Sequence, residues 1–334
     1  MGDLIISQVI LVGFTKQTQT FRIKYMKAIQ YAKYGGPEVL ELVEIKKPNL
    51  ASDQVLVENY ASSINPFDFK VRNGMIPGMP SEFPITIGGD FSGKVIEVGS
   101  NVDDFKTGDL VYGQASVFGG ASGSFAEYVA VYPRSISKKP NNLDFIEAAS
   151  LPLTGISAVQ ALEDHIELKS GQRILINGGS GGIGSIAIQI AKNKGAYVAT
   201  TVSTENMEFA KSLEADRVID YKTETLDDLK DYDAVFDTSG RELEEKLFRV
   251  LKKGGIIVSM TSKANKETAE KYEVSVISQN SETTKDRLER LRSYVELGVV
   301  KPEVDKVFDL ENAPDAFLYQ EESSVRGKVV VKIR

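Results

Sequence analysis

One stretch constrains this chain more than any other: Ile174-Leu-Ile-Asn-Gly-Gly-Ser-Gly-Gly-Ile-Gly-Ser-Ile-Ala-Ile-Gln-Ile-Ala. A short β-branched run meets a glycine-rich turn, and an apolar helical pattern follows at once. Gly179, Gly181 and Gly184 fit G-x-G-x-x-G. Between a strand and a helix, such glycines permit a tight turn and let backbone N–H groups approach a pyrophosphate, to which the helix presents its positive end. The spacing predicts a dinucleotide site. The alternative is a purely structural glycine turn.

The surrounding pattern agrees with a parallel sheet. From about Leu151 the chain alternates between strands and helices. Strands are expected at Arg173–Asn177, Tyr197–Val202, Val218–Ile219, Asp233–Asp237 and Ile256–Met260, and helices at Ile183–Lys194, Glu205–Leu213 and Arg241–Leu251. This alternation implies right-handed βαβ units with ligands at the carboxyl ends of the strands. Met26 to about Ser150 reads differently. Short alternating segments such as Gln54–Tyr60 and Gly93–Gly99 lie between Gly, Pro and Asp turns, which predicts a small curled antiparallel domain. After Ile277 come an amphipathic helix, Lys285–Leu297, and a last strand, Gly327–Ile333, that resembles the first domain's elements. The expected division is therefore 26–150 with 279–334 as one domain and 151–278 as the dinucleotide-binding domain. The first residues fit neither. The apolar run Leu4–Phe14 has the length of a signal-peptide core, but no basic residue precedes it and no small-residue cleavage site follows. The expectation is that Met26 is the natural start and that 1–25 is an extension outside the fold.

Composition removes several function classes. A net charge of −7 argues against general nucleic-acid binding, which needs a basic face. No run reaches transmembrane length, so membrane insertion is not expected. With no cysteine and a single His165, a thiolate zinc site is impossible, and no acidic cluster has calcium-loop spacing, so no metal is expected. His165 reads as a solvated residue at a helix end.

Six signatures occur in order: Gly35-Gly-Pro-Glu-Val-Leu, Ile64-Asn-Pro-Phe-Asp, Gly88-Gly-Asp-Phe-Ser-Gly, Gly123-Ser-Phe-Ala-Glu-Tyr-Val, Leu151-Pro-Leu-Thr-Gly and the nucleotide loop. In that order, from Met26 to Ile333, the chain resembles the medium-chain dehydrogenase/reductase superfamily and within it the zinc-free quinone oxidoreductase-like branch. The resemblance implies an α/β fold, a Rossmann-type doubly wound parallel sheet plus a β-rich GroES-like domain. It also implies a homodimer paired through the last strand of the nucleotide-binding sheet. A cytoplasmic location is expected. Zinc-dependent relatives carry a His-Glu pair where this chain has Gly89-Asp90, so the resemblance implies metal-free hydride delivery from a reduced nicotinamide.

Site residues follow by the same resemblance. Asn65 lines the nicotinamide and substrate cleft and is the one catalytic candidate, its amide stabilising an oxyanion or enolate. Thr154 stands beside the carboxamide. Gly179, Ser180, Gly181, Gly182 and Ile183 form the pyrophosphate loop, and Ser203, Tyr221 and Ser239 complete the cofactor set. Local alternatives stay open: Asn65 as an Asx turn before Pro66, and Thr154 as a helix N-cap. Asp68 and Asp90 read as structural, Lys70 and Arg72 as solvated surface residues. The second strand ends without an acid, and hydroxyls at Thr201, Ser203 and Thr204 suit a 2′-phosphate, so the expected cofactor is NADPH. Relatives often have a lysine shortly after that strand. Here Asn206 or Met207 occupies the region, Glu205 is unhelpful, and Lys222 is the substitute in charge. The expected activity is hydride transfer to a small hydrophobic quinone or enone. Apolar residues Phe67, Phe69, Met75, Ile76, Met79 and Phe118 suit a flat acceptor, or serve ordinary packing. The alternatives are an enoyl-thioester reductase, weakened because the loop Arg72–Pro80 has no tyrosine, and an NADPH-binding redox sensor without turnover.

Overall fold

The computed structural model describes residues 25–76, 82–239, 244–260 and 266–334. Residues 1–24 of the expected extension, Met79, the opening of the expected Arg241–Leu251 helix at 241–243, and the Phe118 side chain lie outside them. Tyr25, assigned by sequence to the extension, is the first residue of a strand.

Among the described residues the chain opens with strands β1 (Tyr25–Tyr31), β2 (Glu41–Lys46), β3 (Val55–Ser63), β4 (Ile85–Thr86), β5 (Asp90–Val98), β6 (Leu110–Gln114), β7 (Tyr128–Val131) and β8 (Ile136–Lys138). Helix α1 (Pro66–Arg72) follows β3, and helix α2 (Pro152–Val159) follows the strands. Next come β9 (Arg173–Asn177), helix α3 (Gly182–Asn193), β10 (Tyr197–Val202), β11 (Arg217–Asp220), β12 (Tyr232–Asp237), β13 (Leu251–Ser259) and β14 (Ser275–Ser278). The chain ends with β15 (Val304–Asp309) and β16 (Lys328–Lys332).

The second group forms a six-stranded sheet in the order β11-β10-β9-β12-β13-β14, every pair parallel. This is the Rossmann order, which reverses between β9 and β12 and opens a crevice there. Parallel strands are covered on both faces, and Ile174, Leu175 and Ile176 are accordingly all fully buried. On α3 the same demand appears at helical spacing: Ile186, Ala187, Ile190 and Ala191 are buried. The expected helix Arg241–Leu251 is shorter, Glu245–Arg249, because Leu251 already pairs with Tyr232 as the start of β13.

A three-stranded sheet runs β2-β1-β4, and a larger sheet runs β15-β16-β3-β5-β6-β8, with β7 also on β3. The last strand, β16, is antiparallel to β3 and parallel to β15, so it sits inside this sheet. It also meets the glycine turn: Gly327 and Gly181 form a parallel bridge, and the Gly327 N–H donates to the Ser180 carbonyl at 3.0 Å. The carboxyl end of one sheet is thereby fastened to the start of an internal strand of the other.

Two sequence expectations change. Arg72 is fully buried, not solvated. Its Nε donates to the Gly35 carbonyl and its guanidinium lies 2.9 Å from Glu321. His165 ends a π-helical turn, Gln160–His165, half-buried with its ring 3.3 Å from the Gln160 amide.

Candidate active site

The turn after β9 places its glycines in three different surroundings. A methyl group on Gly179 would lie 2.0 Å from Thr200 Oγ1, and one on Gly184 2.2 Å from the Gly178 carbonyl oxygen. These two glycines let the helix pack on the strand. A methyl on Gly181 meets only the Gly178 oxygen, at 3.6 Å, so Gly181 faces open space. Gly181 is also the N-cap of α3, with no side-chain cap. The first helical bond runs from Ser185 N–H to the Gly181 carbonyl, so the N–H groups of Ile183 and Gly184 have no partner within the helix. An uncapped helix start behind a glycine with open space in front fits a bound pyrophosphate.

The tips of the central strands are tied by residues that sequence reading missed. Asn177 donates its amide to Asp237 at 2.8 Å and accepts the Thr201 hydroxyl at 2.5 Å. Asp237 also accepts from the Ser239 and Ser259 hydroxyls. Ser239 thus stands at the crevice, its Cα 3.4 Å from a methyl placed on Gly178. An Asn and an Asp that each end a buried strand were the available signal.

At the tip of β10 the three expected hydroxyls divide. Thr201 is spent on Asn177, and Thr204 on Asp220 at 2.5 Å. Ser203 accepts the Asn206 amide and hydrogen-bonds the Glu205 carboxylate. Tyr221 is half-exposed beside it, its N–H on the Val202 carbonyl. Lys222 lies in the same place, 3.0 Å from Glu205. An acid is nearer this tip than the sequence of β10 suggests, because β11 pairs Asp220 with Val202. The Thr204 hydroxyl and the Lys222 N–H hold that carboxyl below its ordinary range.

The third group is buried between the sheets. Asn65 precedes α1, and its N–H donates to Asp68 Oδ2 at 2.7 Å, which caps the helix. The Asn65 side chain also reaches beyond the helix start. Its Nδ2 donates to Asp90 Oδ2 at 2.9 Å and its Oδ1 accepts Lys328 Nζ at 2.5 Å. Asp90 further accepts Gln114 Nε2 at 2.8 Å and the Leu153 N–H at 3.1 Å. Burial pushes the Asp90 carboxyl up and the Lys328 ammonium down, each opposed by the other's charge. Burial also raises Asp68 to about 7.

Thr154 adjoins this group. It is inside α2 rather than at its N-cap, which is Leu151. Its hydroxyl donates to the Ser150 and Leu151 carbonyls, a bond that only an in-helix position allows. A methyl on Gly182 would lie 2.9 Å from Thr154 Cγ2 and 3.0 Å from Lys328 Cδ. Asn65, Thr154 and the glycine turn therefore converge, joined by Lys328. Tyr221 with Ser203, and Ser239, stand at separate tips of the same sheet. Beside α1 lies a small recess of about 20 Å³, open to solvent, with Tyr31, Phe67, Val71, Ile85, Ile87 and Val117 in its wall. Of the apolar residues expected around the acceptor, Phe67 lines it, and Met75 is strongly exposed.

A Rossmann-type parallel sheet whose glycine turn is fastened to a β-rich sheet beside a buried amide fits the class of nicotinamide-dependent oxidoreductases. Comparison with known proteins narrows that class. Residues 51–141 match the alcohol dehydrogenase GroES-like domain and residues 213–331 the zinc-binding dehydrogenase family. The chain is 41% identical over 318 residues to the NADPH-dependent alkenal/one oxidoreductase, chloroplastic, of Arabidopsis thaliana, covering 92% of this chain and 80% of that protein. The quinone oxidoreductase structure from Coxiella burnetii superposes with a TM-score of 0.86 at 36% identity, over 93% of this chain and 100% of the other. The Escherichia coli quinone oxidoreductase complexed with NADPH gives 0.83 at 28%, over 92% and 100%. This chain belongs to the medium-chain dehydrogenase/reductase superfamily, in its zinc-free quinone oxidoreductase-like branch. The word zinc in one family description does not extend to its ligands here, since the chain has no cysteine and Asp90 is held by Asn65, Gln114 and Lys328.

Proposed function

We propose that this protein is an NADPH-dependent reductase of quinones and α,β-unsaturated carbonyl compounds that works without zinc. The observation that carries the reading is the convergence of Asn65, Thr154 and the glycine turn at the start of α3. The relatives named above share the same chemistry in their names.

Bound NADPH supplies the hydride. Gly179, Ser180, Gly181, Gly182 and Ile183 hold the pyrophosphate against the first turn of α3. Ser203 and Tyr221, with Lys222, receive the 2′-phosphate. Thr154 and Asn65 flank the nicotinamide, and Ser239 closes the crevice. As the acceptor gains the hydride, negative charge develops on its oxygen. Asn65 meets that charge. One amide N–H is committed to Asp90, and the second is the donor we assign to the oxyanion. A proton from water completes the two-electron reduction. Burial around Asn65, which is 2% exposed, keeps its amide fixed and strengthens its field.

Within this reading, 26–150 with 279–334 is the acceptor-side domain and 151–278 the cofactor domain. The support is that the six-stranded sheet ends at Ser278 and the last two strands join the other sheet. The reading includes a homodimer along β14. No helix among the described residues is long and apolar enough to cross a membrane. The cytoplasmic expectation draws no support from the chloroplastic relative.

The test is NADPH and NADH consumption, side by side, with a benzoquinone and a short alkenal. Faster NADPH loss with either acceptor is the expected result. NADPH binding with no turnover on either acceptor would overturn the reductase reading in favour of a sensor.

A further inference from the structure

Lys328 is an unexpected residue for its position. It stands in β16, between β15 and β3, and is 5% exposed. Removing an ammonium from water is costly, and a hydrophobic residue of similar volume generally serves a buried strand as well or better. A methionine there would pack the same stem. The geometry shows what the ammonium does that a methyl cannot. Nζ donates to the Ile64 carbonyl and to Asn65 Oδ1, and lies 3.9 Å from Asp90 Oδ2. Its stem meanwhile packs against Gly182 of the phosphate turn.

The Asn65 amide has two orientations that differ by exchanging oxygen and nitrogen. An ammonium only donates and a carboxylate only accepts. With Lys328 on one side and Asp90 on the other, only one orientation satisfies both, the one that turns Oδ1 to Lys328 and Nδ2 to Asp90. The remaining N–H then has a single direction. We propose that Lys328 is a positioning residue for the reduction: it fixes the facing of the Asn65 amide, and it holds that amide in register with the phosphate turn. This rests on the reading of Asn65 as oxyanion donor.

The test compares Lys328→Met, Asn65→Ala and the double variant by kcat, acceptor KM and NADPH affinity, the last from nicotinamide fluorescence. Lys328→Met/Asp90→Asn is the companion, because it leaves no uncompensated buried charge. Lys328→Met is expected to lower kcat roughly 10- to 100-fold, less than the roughly 100- to 1,000-fold of losing an oxyanion donor outright because the amide is misaligned and not removed, and to shift NADPH affinity less than about threefold. Added to Asn65→Ala, it is expected to cost less than about twofold more, because the two residues act as one unit. The companion is expected to show the same kcat loss. Wild-type kcat in Lys328→Met or in the companion overturns the proposal. So does a full multiplicative loss in the double variant while Asn65→Ala alone is impaired. Wild-type turnover by Asn65→Ala is a different failure: it removes the oxyanion reading itself, and this proposal with it.

Discussion

Gly181 and Gly184 belong to one motif, yet the structure gives them opposite duties. Valine at Gly181 would project into open space, so the fold is expected to tolerate it while the pyrophosphate loses its seat. NADPH affinity is expected to fall more than about 100-fold with Tm within about 2 °C of wild type, read by fluorescence titration and a thermal melt. Alanine at Gly184 drives a methyl to 2.2 Å from a backbone oxygen. It is expected to destabilise by on the order of 1–3 kcal/mol, which the same melt measures. Asp68 carries a pH signature. Burial raises its pKa from the ordinary 3.8 to about 7, so the folded state favours the protonated form. The associated stability is fully present below about pH 4 and is lost as pH rises through about 7. Asp68→Asn keeps an acceptor for the Asn65 N–H and removes the titration. The Tm difference, variant minus wild type, is expected to grow more positive between pH 4 and pH 8. A difference that stays flat across that range would contradict the raised pKa.

At the scale of elements, the tips of β10 and β11 are where the proposed 2′-phosphate site lies. Lys222 is the cation in place for a 2′-phosphate, but Glu205 holds it at 3.0 Å, with both side chains about half exposed. Such a pair is worth about 1 kcal/mol at most. Glu205→Gln is expected to tighten NADPH binding by roughly two- to fivefold, and Lys222→Ala to weaken it several-fold, neither changing NADH affinity. Equal effects on both nucleotides would remove Lys222 from the 2′-phosphate site. These tips also show how far the chain could be read without its structure. Parallel strands and α3 announced themselves, because two-sided burial makes near-continuous apolar runs and one-sided burial a 3.6-residue period. The glycine turn was equally readable, since backbone approach admits no other residue. What escaped was non-local. Lys328 reads as an outward lysine in a valine strand, and its partner Asn65 is 263 residues away. Thr201 and Thr204 read as phosphate donors until Asn177 and Asp220, on neighbouring strands, take their hydroxyls. Arg72 reads as surface until Glu321 meets it.

The whole molecule is organised by its last strand and by its open edges. β16 lies inside one sheet and is bonded through Gly327 to the turn of the other. Asn65, the proposed oxyanion donor, and the glycine turn, the proposed phosphate site, therefore share one junction, and separate motion of the two would have to break it. The edges raise a different question. The six-stranded sheet ends in β11 on one side and β14 on the other. Proteins commonly guard an edge with charge. β11 has it, Arg217 at one end and Asp220 at the other. β14 is Ser275-Val-Ile-Ser, with no charge, and pairs on one side only, with β13. Among the described residues its only strand partner is β13; an uncharged edge strand is a template for pairing, and a second copy of β14 could add to it around a twofold axis. Light scattering at micromolar concentration is expected to return twice the chain mass of 36.6 kDa. A mass of one chain across the concentration series would show that this edge is tolerated bare, and the dimer reading would fall while the site and its chemistry stood unchanged.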